Sequence, residues 1–262
     1  MKTKTRSTRR PPKLGQHFLN NPTVAESLVD AAGVKEGTEV VEIGPGTGAL
    51  TKVLLKRGAR VVAIEKDAEL IVKLNGTFKS EIELGQLTIL EKDVRDVEVE
   101  TLPLGEEYVL AANIPYYITG EIIRHFLTTR KQPQTLALLM QKEVADRIVA
   151  RDGKESILSL SVKAYGEPRI TRKVPPGNFT PPPSVDSAIL AVSNVSKHFF
   201  DGISEERFFQ VVKAGFSSKR KLLASNLSPF GKEIVKDVLE KCHLEATRVR
   251  AEDLSLMEWQ VL

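Results

Sequence analysis

"VVEIGPGTGALT", Val40 to Thr51, joins a short β-branched run to the start of a helical pattern through three glycines. Gly44, Gly46 and Gly48 let the backbone turn tightly and bring the free N–H groups of a helix start close to a ligand. Glycine-rich turns of this kind also serve dinucleotide sites. Here, however, the third glycine comes one position early, and Glu42 stands two residues before the first. That spacing favours S-adenosylmethionine. A nearby carboxylate suits its positive charge, and it has no pyrophosphate for a helix N-terminus to hold.

Outward from this turn, strand and helix patterns alternate. "ARVVAIEKD", "QLTILEKDV", "EYVLAANIP" and "PQTLALLMQ" read as strands. "ALTKVLLKRG", "AELIVKLNG", "GEIIRHFLTTR" and "KEVADRIVA" between or after them have helical spacing. Continuously apolar strands separated by amphipathic helices indicate βαβ units and a parallel sheet covered on both faces. From "ESILSLSVKAYG" to "DSAILAVS" the pattern predicts strands joined by a Pro-rich loop, an antiparallel edge to that sheet. After about Val195 the pattern is helical only. The expectation is an α/β, Rossmann-like domain over residues 14–195, a small all-helical domain over 196–262, and a basic flexible tail over 1–13.

The charge distribution supports that division. Lys2, Lys4, Arg6, Arg9, Arg10 and Lys13 precede Leu14 with no acid among them. Removing these six from 38 basic residues leaves 32 against 34 acidic ones, so the net charge of +4 lies in the tail. Such a tail is either a phosphate-binding arm or a solvated terminus. A second cluster, Lys219, Arg220 and Lys221, is assigned to RNA phosphates. Hydrophobic residues at 41% and charged ones at 27% suit a globular chain, and no apolar run approaches the ~18 residues of a membrane span. The N-terminus has no apolar signal core, and the single Cys242 excludes an intrachain disulfide and a cysteine metal cluster. A cytoplasmic protein without metal or membrane contact is expected.

Three strand ends contribute to one pocket at the switch point of an open sheet. The glycine loop follows the first. Glu65 ends the second, placed to accept both hydroxyls of a ribose, and Asp93 ends the third, placed to accept from an adenine amine. The fourth strand runs into "NIPY". An adenine amine is a poor nucleophile because its lone pair is delocalised, so methyl transfer needs acceptors that draw the nitrogen toward tetrahedral geometry. The Asn113 side-chain carbonyl and the Ile114 backbone carbonyl can each take one amine hydrogen, with Pro115 fixing the backbone. Tyr116 can stack on the extruded base. Catalysis would then be positioning plus electrostatics, without a strong general base. Phe179, in the stiff "NFTPPPSVDSAIL", either covers the other face of the base or anchors its loop on the core.

"LGQHFLNNP", "VVEIGPGTGALT", "VVAIEKD", "EKDV", "ANIPYYIT", "LLMQKEVADRI", "FTPPPSVDSAIL" and "FSSKRKLLASNL" run in order from about residue 14 to 227. Together they resemble the rRNA adenine N6-dimethyltransferase family, which methylates two adjacent adenosines near the 3′ end of small-subunit rRNA. The resemblance implies a Rossmann-like catalytic domain, a helical C-terminal domain and S-adenosylmethionine as donor. It makes Gln16, His17, Leu19, Gly44, Glu65, Asp93 and Asn113 cofactor contacts, with Gly46, Lys66 and Val94 beside them. Asn113, Ile114, Tyr116 and Phe179 become the target-adenosine pocket. The implied partner is the small ribosomal subunit, still immature, acted on by a monomer. Many members have Asn where His17 stands and Leu where Ile114 stands, and "SILSLSV" within 152–166 departs from the family run. Two other readings are a methylase of one large-subunit adenosine, as in macrolide resistance, and a non-catalytic assembly or transcription factor on the same fold.

Overall fold

Both faces of the central sheet are apolar because its strands are covered on both sides. A computed structural model of the protein describes residues 17–262; the basic tail and Gln16 lie outside the described residues. The strands are β1 (Phe18–Leu19), β2 (Glu39–Ile43), β3 (Arg60–Glu65), β4 (Leu87–Glu91), β5 (Val109–Asn113), β6 (Thr135–Gln141), β7 (Glu167–Val174), β8 (Phe179–Thr180) and β9 (Ser187–Ser193). The helices are α1 (Pro22–Ala31), α2 (Ala49–Lys56), α3 (Ala68–Thr77), α4 (Lys79–Glu83), α5 (Thr119–Thr128), α6 (Lys142–Val149) and α7 (Ile157–Lys163). After them come α8 (Glu205–Gly215), α9 (Leu223–Asn226), α10 (Lys232–Lys241) and α11 (Leu256–Val261).

Seven strands form one sheet in the order β4-β3-β2-β5-β6-β9-β7. The first five are mutually parallel, and β9 and β7 add an antiparallel edge. Successive side chains point to opposite faces. Val41, Ile43, Val62, Ile64, Leu110 and Leu138 therefore meet α5, α6 and α7 on one side. Val40, Val61, Ala63, Val109, Ala111 and Leu139 meet α1, α2 and α3 on the other. Strand order reverses between β2 and β5, which opens a crevice at their carboxyl ends. The glycine loop, Glu65, Asp93 and Asn113 all stand along that edge.

Two segments depart from the sequence expectation. "SILSLSV", expected as a strand, is helix α7. Leu158, Leu160 and Val162 alternate as a strand would, but Ser156 starts a helix by a reciprocal cap with Ser159. The edge strand is instead the charged "EPRITRKV", whose Arg169, Thr171 and Lys173 point outward at the sheet margin. "KRKLLASNL" also differs: only Leu223–Asn226 is helical, and Lys219 to Lys221 lie in the turn before it.

The C-terminal helices share a core with the sheet. Phe200, Phe208, Leu223, Leu239 and Trp259 belong to the same buried cluster as Leu138 and Leu190. Tyr165 meets Phe200 at 5.2 Å between ring centroids, and Phe216 stacks on Trp259 at 5.6 Å. Phe208 and Phe209 of α8 thus act as core. No helix among the described residues is long and apolar enough to cross a membrane.

Candidate active site

The crevice is a cavity of about 360 Å³, lined by the β2–α2 loop and the ends of β3, β4 and β5. Segment 17–19 closes one side of it. Gly46 and Gly48 show why this loop is glycine-rich. At Gly46, φ is +60° and a Cβ would lie 3.0 Å from the Phe18 ring; at Gly48, φ is +83° and a Cβ would lie 2.5 Å from the Phe78 ring. A side chain at either position meets both backbone strain and an aromatic wall.

Beneath the loop, Glu42 is 1% exposed. Its Oε2 accepts the Thr51 hydroxyl at 2.7 Å, while Oε1 is buried with no hydrogen-bond partner. Burial pushes its carboxyl up to about 8; the Thr51 bond opposes this and the nearby Glu65 charge adds to it. A buried acceptor without a partner is costly, and a positively charged ligand group in this cavity would relieve that cost. The place of Glu42 two residues before the first glycine is the sequence signal for this carboxylate.

Glu65 is held rather than free. Its Oε1 accepts the N–H groups of Lys66 and Asp67 at 2.8 and 3.0 Å, and its Oε2 accepts Gly46 N–H at 3.3 Å. A carboxylate has about four acceptor sites, so capacity for ribose hydroxyls remains. Asp93 is engaged by a residue that the sequence did not single out. Arg95 donates to both its oxygens, at 3.0 and 2.7 Å, and its own backbone N–H reaches Oδ1 at 3.1 Å. These bonds hold the Asp93 carboxyl far below the usual carboxylate range, with the Lys66 ammonium 3.5 Å away contributing. Val94 supplies an apolar wall beside it.

The "NIPY" end of the cavity is assembled from distant segments. The Asn113 Nδ2 donates to the His17 backbone carbonyl at 3.0 Å. Ile114 N–H bonds Leu139 O at 3.3 Å. Pro115 holds φ at −59°, which starts a short 3₁₀ turn over Tyr116–Ile118. Tyr116 is half-buried, and its hydroxyl shares a 2.7 Å bond with Ser187. Burial raises its pKa against that bond. One side of its ring faces His17, with centroids 5.8 Å apart. Ser187, at the start of β9, lies within "FTPPPSVDSAIL", but only the folded chain shows its contact with Tyr116.

Phe179 is where the structure and the base-facing expectation part. It is 2% exposed, packed in the core that includes Leu19 and Val174, and it does not line the cavity. Its pairing opposite Leu19 in the β1–β8 ladder draws it inward. It anchors its loop, the other role open to it from sequence, and would have to turn out to meet a base. Leu19 shares that ladder and also lines the cavity. Lys219, Arg220 and Lys221 are exposed in the turn between α8 and α9. Asn226 shapes that turn, donating to Gly215 O at 2.5 Å and to Ser218 O at 3.1 Å. Among the described residues, no group of three or more His, Cys, Asp or Glu is placed to hold a metal.

The family described as ribosomal RNA adenine dimethylase matches residues 8–258. The chain belongs to the ribosomal RNA adenine dimethylase family. Among its relatives in this family is "Ribosomal RNA small subunit methyltransferase A" of Dehalococcoides mccartyi strain CBDB1. It is 39% identical over 254 residues, which cover 95% of this chain and 86% of that protein. The protein of the same name from Bacillus licheniformis is 38% identical over 259 residues, with 95% and 88% covered. A solved dimethyladenosine transferase from Plasmodium falciparum superposes with a TM-score of 0.78 at 26% identity, covering 94% of this chain and 96% of that one. The 23S rRNA methyltransferase ErmE shares the fold, with a TM-score of 0.77 at 24% identity and coverage of 93% and 97%. The dimethylase fold therefore spans the sheet and the C-terminal helices alike.

Proposed function

We propose that this dimethylase converts two adjacent adenosines near the 3′ end of small-subunit rRNA to N6,N6-dimethyladenosine, with S-adenosylmethionine as donor. The observation that carries the reading is the "NIPY" turn at the end of β5, which sets acceptors and an aromatic ring beside the glycine-loop cavity. Relatives named as small-subunit methyltransferases, at 38–39% identity over 95% of the chain, favour the small subunit as substrate. The chain acts as a monomer, in the cytoplasm, on a subunit that is still immature. Residues 14–195 form the catalytic unit, and 196–262 hold RNA through Lys219, Arg220 and Lys221. The role of the basic tail is phosphate contact.

When bound, S-adenosylmethionine supplies an electrophilic methyl on a sulfonium sulfur. Gln16, His17, Leu19, Gly44, Gly46, Glu65, Lys66, Asp93, Val94 and Asn113 would hold it, and the unpartnered Glu42 Oε1 would offer a counter-charge to its sulfonium. Asn113 Oδ1 and the Ile114 carbonyl take the two amine hydrogens, while Tyr116 supports the ring of the base. Held in this way, the amine lone pair would be aimed at the methyl that the cofactor supplies, and the proton displaced from the nitrogen would pass to solvent. Positioning of this kind, rather than a strong base, supplies the rate. A second round requires the base to present its remaining hydrogen.

The test is transfer of labelled methyl to isolated small and large subunits that lack the modification, followed by nucleoside analysis. Dimethyladenosine at two adjacent small-subunit positions is expected. Asn113→Ala should slow transfer by roughly 10²–10³-fold, the scale for losing one well-placed catalytic hydrogen-bonding group. Methyl incorporation into the large subunit alone overturns the assignment.

A further inference from the structure

A side-chain amide offers an acceptor on one side and two donors on the other. At a site that must accept amine hydrogens, the wrong face repels the substrate. At Asn113 the orientation is set by one contact. Its amide lies 3.0 Å from the backbone carbonyl oxygen of His17. A carbonyl oxygen only accepts, so the NH₂ must face it and Oδ1 must face away. No described residue donates a hydrogen bond to that Oδ1.

The His17 carbonyl is itself held by contacts from remote parts of the chain. The His17 Nδ1 donates to the Pro181 carbonyl at 2.8 Å. Its ring lies against Tyr116, with an interplanar angle of 29°. Phe18 and Leu19 pair with Thr180 and Phe179, and Asn20 N–H reaches Asn178 O at 3.0 Å. The ladder fixes the strand, and the imidazole ties the residue at its end to the loop after β8.

We propose that His17 is a positioning residue for methyl transfer: it holds its own carbonyl against Asn113 Nδ2 and so fixes Oδ1 as the acceptor for the target amine. The proposal rests on the role given to Asn113 above. It also separates His17 from a simple cofactor contact, because the effect falls on the rate of transfer at saturating cofactor. Without the anchor the amide can turn over and present donors to an amine that needs acceptors. Asn in this position carries its Nδ2 where His carries Nδ1, so it can still donate to Pro181 O. Phe keeps a ring beside Tyr116 but loses the donor.

The experiment compares His17→Ala, His17→Phe and His17→Asn with the native chain. Single-turnover transfer to small subunits is measured at saturating S-adenosylmethionine, and cofactor Kd by calorimetry. In RNA-free protein, water exchange of the Asn113 side-chain NH₂ is followed by ¹⁵N NMR. His17→Ala and His17→Phe should slow transfer roughly 10- to 100-fold at saturating cofactor, the scale of a displaced positioning group, whatever the change in Kd. Their Asn113 NH₂ should exchange faster than in the native chain. His17→Asn should restore both readouts. A rate loss that vanishes at saturating cofactor, a His17→Asn as slow as His17→Ala, or an NH₂ signal unchanged in His17→Ala overturns the proposal. If the native chain transfers no methyl to small subunits, the substrate assignment fails, and the NH₂ exchange still decides the His17 contact.

Discussion

The two halves of the cavity are built in different ways. The glycine-loop half comes from consecutive strand ends, β2, β3 and β4, and its contacts are mostly short in sequence. Glu65 holds its own two successors and Gly46, and Asp93 holds Arg95 two residues on. The "NIPY" half is joined across the chain: Asn113 to His17, Tyr116 to Ser187, His17 to Pro181. A βα unit places a strand-end residue by its own folding. A residue 70 or more positions away is placed only once the sheet has closed around β9 and the N-terminal ladder.

If the halves are separable, variants should divide between cofactor binding and transfer. Gly48→Ala should have the largest effect, because its Cβ would meet Phe78 at 2.5 Å at positive φ. A stability loss of about 2–4 kcal/mol is expected by thermal melting, with a loss of cofactor affinity by calorimetry. Tyr116→Ala should come next, slowing transfer by about 10- to 100-fold through lost base stacking while cofactor Kd stays unchanged. A matching loss of cofactor affinity would break the comparison. Ser187→Ala removes only the partner of the Tyr116 hydroxyl and should slow transfer by about 3- to 10-fold, the scale of one hydrogen bond.

Glu42 tests the glycine-loop half through pH. Its carboxyl is raised from 4.5 to about 8 in the folded chain, so between these values the native state binds more protons than the unfolded one. Stability then falls as pH rises from about 4.5 to 8. Urea unfolding without cofactor should show that decline, and Glu42→Gln, which still accepts from Thr51, should flatten it. An identical decline in the variant would place the cause elsewhere. The smallest effect on chemistry should come from replacing Lys219, Arg220 and Lys221 together by Ala. The log–log salt slope of RNA binding should fall by about 2 to 3, with transfer on bound RNA unchanged.

Sequence alone went furthest where chemistry and local geometry coincide. The three glycines before α2, Glu65 at the end of β3, Asp93 just past β4 and Asn113 at the end of β5 could each be assigned because a strand end fixes the residues at it in space. Helix α1 follows from a cap and a first-turn proline at Asn21 and Pro22 rather than from a strand end. At the sheet edge, the alternation of Leu158, Leu160 and Val162 favours a strand, yet the Ser156 cap makes that segment a helix. Arg95 lies just past "EKDV" and Ser187 within "FTPPPSVDSAIL", and the role of each becomes visible only through its partner.

The parallel α/β sheet, the glycine loop and the set of side chains along its carboxyl edge are legible from the order of residues. These depend on periodicity and on spacing within one unit. Tertiary structure alone decided that Phe179 is buried, that Tyr116 leans on Ser187, and that the amide of Asn113 is oriented by His17. Those outcomes depend on which remote backbone groups come within hydrogen-bond reach, and that is set by the packing of the whole sheet rather than by any local pattern.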